Sequence, residues 1–147
     1  MKNPLHALKE IISDLEQAAG DIAQKHDIEH LKGPQGRALY YLFKHQERDV
    51  FVKDIEQCLH ISKSVASNLV KRMEKNGYLH LETSTEDKRY KRLVLTQEGV
   101  SKIEPLEHFH RELMSELFID IEPDDWKVVE KVLGQLTQNL KQFKEKD

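Results

Sequence analysis

Leu5, Leu8, Ile12, Leu15, Ala19 and Ile22 recur at alternating gaps of three and four, with charged or polar residues filling most positions between them. That period matches the turn of an α-helix, so the pattern predicts one long amphipathic helix that ends near His26 to Leu31. In "KGPQGRALYYLFKH", Gly33 can cap a second helix and Pro34 can open it, because proline lacks only an N–H that a helix start leaves unused. The apolar face of this helix is Ala38, Leu39, Tyr41 and Leu42. "VFVKDIEQCLH" begins β-like and becomes a short helix through Ile55, Cys58 and Leu59. "HIS" then makes a tight turn, with Ser62 placed to cap the next element.

"SKSVASNLVKRMEKNG" has Val65, Leu69 and Met73 at gaps of four on an inward face, an almost wholly polar opposite face, and Gly77 as a C-terminal stop. "YLHLETS" and "YKRLVLT" are short β-like runs on either side of a charged turn, the pattern of a hairpin. Helical spacing returns through Ile103, Leu106, Leu113 and Leu117, with Pro105 expected to kink that helix or delay its start. A last helix opens on Pro123, with Asp124 and Asp125 in its first turn, where acids favour the helix dipole. Along it Trp126, Val129, Leu133, Leu136, Leu140 and Phe143 form a heptad-like stripe. Apolar stripes at both ends of the chain can pack together within one subunit or between two. The fold class is mainly α with a small β-hairpin.

Composition narrows the class. A chain of 147 residues with 38% hydrophobic and 33% charged residues fits one ordered, helix-rich domain, or a small domain with helical extensions. Apolar runs fall short of the roughly 20 residues that cross a bilayer, and the start is amphipathic rather than signal-like, so a cytoplasmic protein with no membrane partner is expected. Cys58 is the single cysteine and has no internal disulfide partner, in keeping with a reducing compartment. The net charge of −3 argues against a general polyanion binder, yet Lys53 to Arg92 holds nine Lys and Arg against six Asp and Glu, a local +3 that leaves −6 elsewhere. A basic reading surface on an acidic frame results.

A short helix, a tight turn and a second helix with one polar face make the pattern of a helix-turn-helix. Lys63, Ser64, Ser67, Asn68, Lys71 and Arg72 lie on or near the solvent side, where they can donate to phosphates or reach base edges. The competing reading is an ordinary solvated helix face. The hairpin favours DNA: in "TSTEDKRYKRLVLT" the turn carries Lys88 and Arg89 to an exposed tip, from which an arginine can enter a narrow, electronegative minor groove. Asp87, two residues earlier, can accept from nearby amides or from the guanidinium and hold Arg89 in place. Lys91 and Arg92 point to opposite strand faces, so at most one shares the surface of Arg89.

At "LKGPQGRALYYL", "VKDIEQCLHISKSVASNLVKRMEKNGYL" and "DKRYKRLVLTQEG" the chain resembles the MarR family of winged-helix transcriptional regulators. The last string matches the family's wing pattern at Asp87, Arg89, Leu95, Thr96 and Gly99. The resemblance implies a winged helix-turn-helix whose N- and C-terminal helices form a dimerisation region: residues 1–30 and 99–147 for dimerisation, 31–98 for DNA. It implies a homodimer on pseudo-palindromic, double-stranded operator DNA, usually a repressor released by a small-molecule effector, by oxidation or by metal. Two-fold symmetry then spaces half-sites about 10 bp apart. One departure is that the position shortly after the glycine, often arginine in the family, is Leu81, with His80 before it.

Three kinds of signal are open. Ile55 and Leu59 flank Cys58, which predicts a buried thiol rather than a redox sensor. Glu104, Glu107, His108, His110, His26 and His30 hold zinc-type donors, but His108 and His110 lie about 200° apart around a helix, and solvated histidines are the simpler reading; no metal or cofactor is assigned. Arg37, Tyr40 and Tyr41 can line a pocket for an aromatic acid, although core packing explains a tyrosine equally well. A winged-helix protein-interaction module that binds no DNA is the competing class. An enzyme is not expected, since no phosphate loop, cysteine–histidine pair or glycine-rich cofactor turn occurs.

Overall fold

The computed structural model describes residues 3–146. Helix α1 spans Pro4–Lys25, and the side chain of Asn3 caps it by accepting from the N–H of Leu5 at 3.0 Å. A 3-10 turn at Glu29–Leu31 leads to α2, Pro34–Lys44, with Gly33 at its N-cap and Pro34 in its first turn. Helices α3, Val52–Leu59, and α4, Lys63–Lys75, follow. Strands β1, Leu79–Thr83, and β2, Lys91–Leu95, pair antiparallel with Leu81 opposite Leu93. The chain closes with α5, Gln97–Ser101, α6, Ile103–Leu117, and α7, Pro123–Glu145. Pro105 sits in the first turn of α6, where no helical N–H is lost, so it delays that helix rather than kinking it.

Contacts divide the chain into two units, one ending at Leu113 and one beginning at Met114. The core lies in the first. Ile28, Leu31, Leu39, Ile55, Leu69, Met73 and Leu79 are each under 2% exposed, so every element from the end of α1 to β1 contributes a side chain. Alternation puts Leu79 and Leu93 against this core from the hairpin. The β-like start of "VFVKDIEQCLH" survives as a single link: the carbonyl of Val50 accepts from the N–H of Leu93 at 2.8 Å, which ties β2 to the segment before α3.

Two glycines hold positions that a side chain would spoil. Gly77 ends α4 at φ 83, a left-handed conformation that L side chains resist. A Cβ on Gly99 would lie 2.2 Å from the carbonyl oxygen of Tyr78, so α5 can pass the start of β1 only at glycine.

In the second unit Phe118 and Trp126 meet edge to face with centroids 4.9 Å apart. Along α7, Val129, Leu133, Leu136, Leu140 and Phe143 are all exposed, and the helix buries none of its residues. In α1, Leu5, Ile11 and Ile12 are likewise more than half exposed, and burial starts only towards Ala23.

Candidate nucleic-acid interface

The turn between α3 and α4 is built by His60, Ile61 and Ser62. His60 adopts the left-handed conformation at φ 55, and the N–H of Ile61 returns to the carbonyl of Glu56 at 3.1 Å, which satisfies the carbonyl end of α3. The hydroxyl of Ser62 accepts from the N–H of Val65 at 3.2 Å and so starts α4 as the sequence predicts. At the other end of α3, the carboxylate of Asp54 accepts from the N–H of Phe51 at 2.8 Å.

Helix α4 buries Ala66, Leu69, Val70 and Met73. The gap-of-four pattern places Val65 inward, and there the structure differs: Val65 is 48% exposed. At 100° per residue the buried arc centres between Leu69 and Val70, which puts Ala66 inside and turns Val65 towards the edge of the outer face. Lys63, Ser64, Asn68, Lys71 and Arg72 are exposed, and Ser67 is half-buried at the margin. None of Lys63, Lys71 or Arg72 forms an ion pair among the described residues. The outer face of α4 therefore offers unneutralised cations together with small hydroxyls and one amide.

The hairpin carries a second donor group. The carboxylate of Asp87 accepts from Arg89 three times: from the backbone N–H at 3.1 Å, from Nε at 3.0 Å and from a terminal nitrogen at 2.7 Å. This fork fixes the orientation of the guanidinium while the arginine side chain stays 80% exposed. The bonds to Arg89 hold the Asp87 carboxyl below the ordinary value of 3.8 and raise the guanidinium of Arg89. The guanidinium also lies 5.5 Å from the ring of Tyr90, which meets Phe51 edge-on at the start of α3. Lys88 and Lys91 are exposed and form no ion pair among the described residues.

Arg92 belongs to a different group. It donates to Glu82 at 2.6 Å and to Asp49 at 3.5 Å, so its charge is spent on the paired strands, one pair short of the turn. The bond from His80, with that from Arg92, lowers the Glu82 carboxyl. His80 thus engages Glu82, at 2.7 Å, and Leu81 packs half-buried against the core.

Of the sequence-predicted effector residues, His108 meets Glu104 at 3.5 Å and stacks on His26. Cys58 is exposed, contrary to the burial its neighbours suggest, because Ile55 and Leu59 are four apart and share the inner face while Cys58 falls outside it. Arg37 and Tyr40 are exposed, with Lys44 over the Tyr40 ring; Tyr41 stacks on His45 and accepts from Arg48. His26 bonds Glu112 at 2.9 Å and stacks on His108, whereas His30 bonds the hydroxyl of Tyr78. Lys25 and His26 together lower the Glu112 carboxyl. Among the described residues, no group of three or more His, Cys, Asp or Glu is placed to hold a metal ion, and no helix is long and apolar enough to cross a membrane.

A capped helix-turn-helix with a cationic outer face, followed by a hairpin with a clamped arginine, is matched by known proteins. The sequence model of the MarR family covers residues 31–89. The crystal structure of heme-free PefR is 43% identical over 93% of this chain and 99% of that one, with a TM-score of 0.81. This chain belongs to the MarR family. The heme complex of PefR from Streptococcus agalactiae is likewise 43% identical, over 95% of each chain, with a TM-score of 0.77. The S. aureus MepR–DNA complex shares the fold at 21% identity, over 94% of this chain and 96% of that one, with a TM-score of 0.79. No curated protein sequence matches the chain. The chain is a winged-helix transcriptional regulator of that family, which consists of regulators rather than enzymes.

Proposed function

We propose that the chain is a homodimeric, effector-responsive repressor that binds pseudo-palindromic operator DNA in the cytoplasm and catalyses no reaction. One observation carries this reading: Lys63, Lys71 and Arg72, without ion pairs among the described residues, lie on the outer face of α4 in the same winged helix-turn-helix as Arg89, an exposed arginine whose geometry is set before any ligand arrives. Helix α4 would lie in a major groove, with Ser64, Ser67 and Asn68 at base edges and the cations on phosphates. Arg89, steadied by Asp87 and flanked by Lys88 and Lys91, would enter the adjacent minor groove. Residues 31–98 would form the DNA-binding part, and residues 1–30 and 99–147 the frame that pairs two copies. The uncovered apolar stripes of α1 and α7 support that pairing.

The effector class favoured by the likeness to PefR is a porphyrin. One donor type is at hand: His108, about half exposed on α6, offers an imidazole, a side chain that ligates heme iron. When bound, a heme would supply an iron centre whose ligation is coupled to DNA affinity. Binding to DNA upstream of the protein's own gene, titrated against salt with and without hemin, tests both parts. Binding should weaken steeply with salt and in Arg89→Ala, the slope should fall by about one in Lys71→Ala, and hemin should lower the affinity. Salt-independent binding, or none to any genomic fragment, would refute DNA recognition; affinity indifferent to hemin would remove the porphyrin.

A further inference from the structure

We propose that Ser84 and Asp49 are positioning residues for Arg89, setting the wing tip from the helix-turn-helix body. Ser84 is a polar side chain inside the protein, 1% exposed. Its hydroxyl donates to Oδ2 of Asp49 at 2.7 Å and accepts from the N–H groups of Glu86 at 3.2 Å and Asp87 at 3.3 Å. Asp49 precedes Val50, whose carbonyl receives β2, and its other oxygen takes Arg92 at 3.5 Å. The turn is closed by two further bonds, from the N–H of Ser84 to Tyr90 and from the N–H of Tyr90 to Asp87.

These bonds form a continuous path. Asp49 is held next to the core segment before α3, Ser84 is held by Asp49, the amide of Asp87 is held by Ser84, and the carboxylate of Asp87 clamps Arg89. A two-stranded hairpin is marginal in water, so a turn of seven residues, 84–90, between its paired strands needs such an anchor to present one geometry. Removing the hydroxyl leaves two amides and a carboxylate oxygen without their partner and frees the turn, while Asp87 and Arg89 keep each other. Arg92, bonded to the same Asp49, serves the anchor rather than the DNA.

The inference rests on Arg89 being a DNA contact, and the test separates the two. A fluorescein-labelled duplex is selected from random DNA with the intact parent protein and titrated with the parent, Ser84→Ala, Asp49→Ala, Arg89→Ala and each double variant with Arg89→Ala. Ser84→Ala and Asp49→Ala should each bind about five- to tenfold more weakly, yet change affinity less than twofold once Arg89 is gone, because they act through it. In the free protein the amides of Glu86 and Asp87 should exchange about tenfold faster in Ser84→Ala. A general structural role would cost the same in both backgrounds and so overturn the proposal, as would parent-like affinity or unchanged exchange in Ser84→Ala. Should Ser84→Ala fail to fold, Asp49→Ala carries the comparison. Parent-like affinity of Arg89→Ala would instead remove the DNA role of Arg89, and the inference with it.

Discussion

At the scale of the residue, the informative pair is Asp87 and Arg89. A free arginine on a turn would lose rotamer entropy on entering a groove, and the carboxylate removes part of that cost before binding. Asp87→Asn keeps the size of the side chain but gives up the charged fork, so operator binding measured by fluorescence anisotropy should weaken about three- to tenfold. The sign of the pH dependence follows from the depressed carboxyl. Its contribution is fully present above the ordinary value of 3.8 and is lost as pH falls through the lower folded value, so the Arg89 Nε–H resonance should be constant from pH 5 to 8 and change only in strong acid. The pairing of Asp87 with Arg89 is legible from their two-residue separation. Ser84 and Asp49 are not, because 35 residues separate them and only the return of β2 to Val50 brings them together.

At the scale of the element, helix boundaries follow from local chemistry: Pro34 and Pro123 open helices, Ser62 caps one, and Gly77 stops one. Faces follow less well. Val65 by its spacing and Cys58 by its apolar neighbours read as inward, yet both are exposed, since the buried arc of a short helix is set by what it packs on. The close pass of α5 over β1 is also tertiary, although the sequence marks it with Gly99. Gly99→Ala would force a methyl group to 2.2 Å from the Tyr78 carbonyl oxygen; thermal or urea unfolding should show a loss of about 1–3 kcal/mol.

At the scale of the whole molecule, charge and exposure are unevenly distributed. The segment from Lys53 to Arg92 concentrates positive charge, and the terminal helices concentrate uncovered apolar surface. A stripe that includes Leu133, Leu136 and Leu140 along a helix with no buried residue is the expected face of a partner copy. Replacing Leu133 and Leu136 together by Glu should shift the protein from dimer to monomer in sedimentation velocity, and operator affinity should fall at least tenfold because one half-site is then bound at a time. A double variant that stays dimeric would place the pairing surface elsewhere.

Helical periods, caps, stops and the clustered bases are written in neighbouring residues, and so the class of fold, the helix-turn-helix and the arginine at the wing tip can all be recovered from the order of amino acids. Which bases remain free cannot. Lys71 and Arg92 look equivalent in the chain, but folding brings Asp49 and Glu82 to Arg92 and leaves Lys71 in solvent. Neutralisation depends on a partner within a few ångströms, and for Arg92 one of those partners is 43 positions away. Distance through space decided which cations are paired, and it did so through contacts that no local pattern contains.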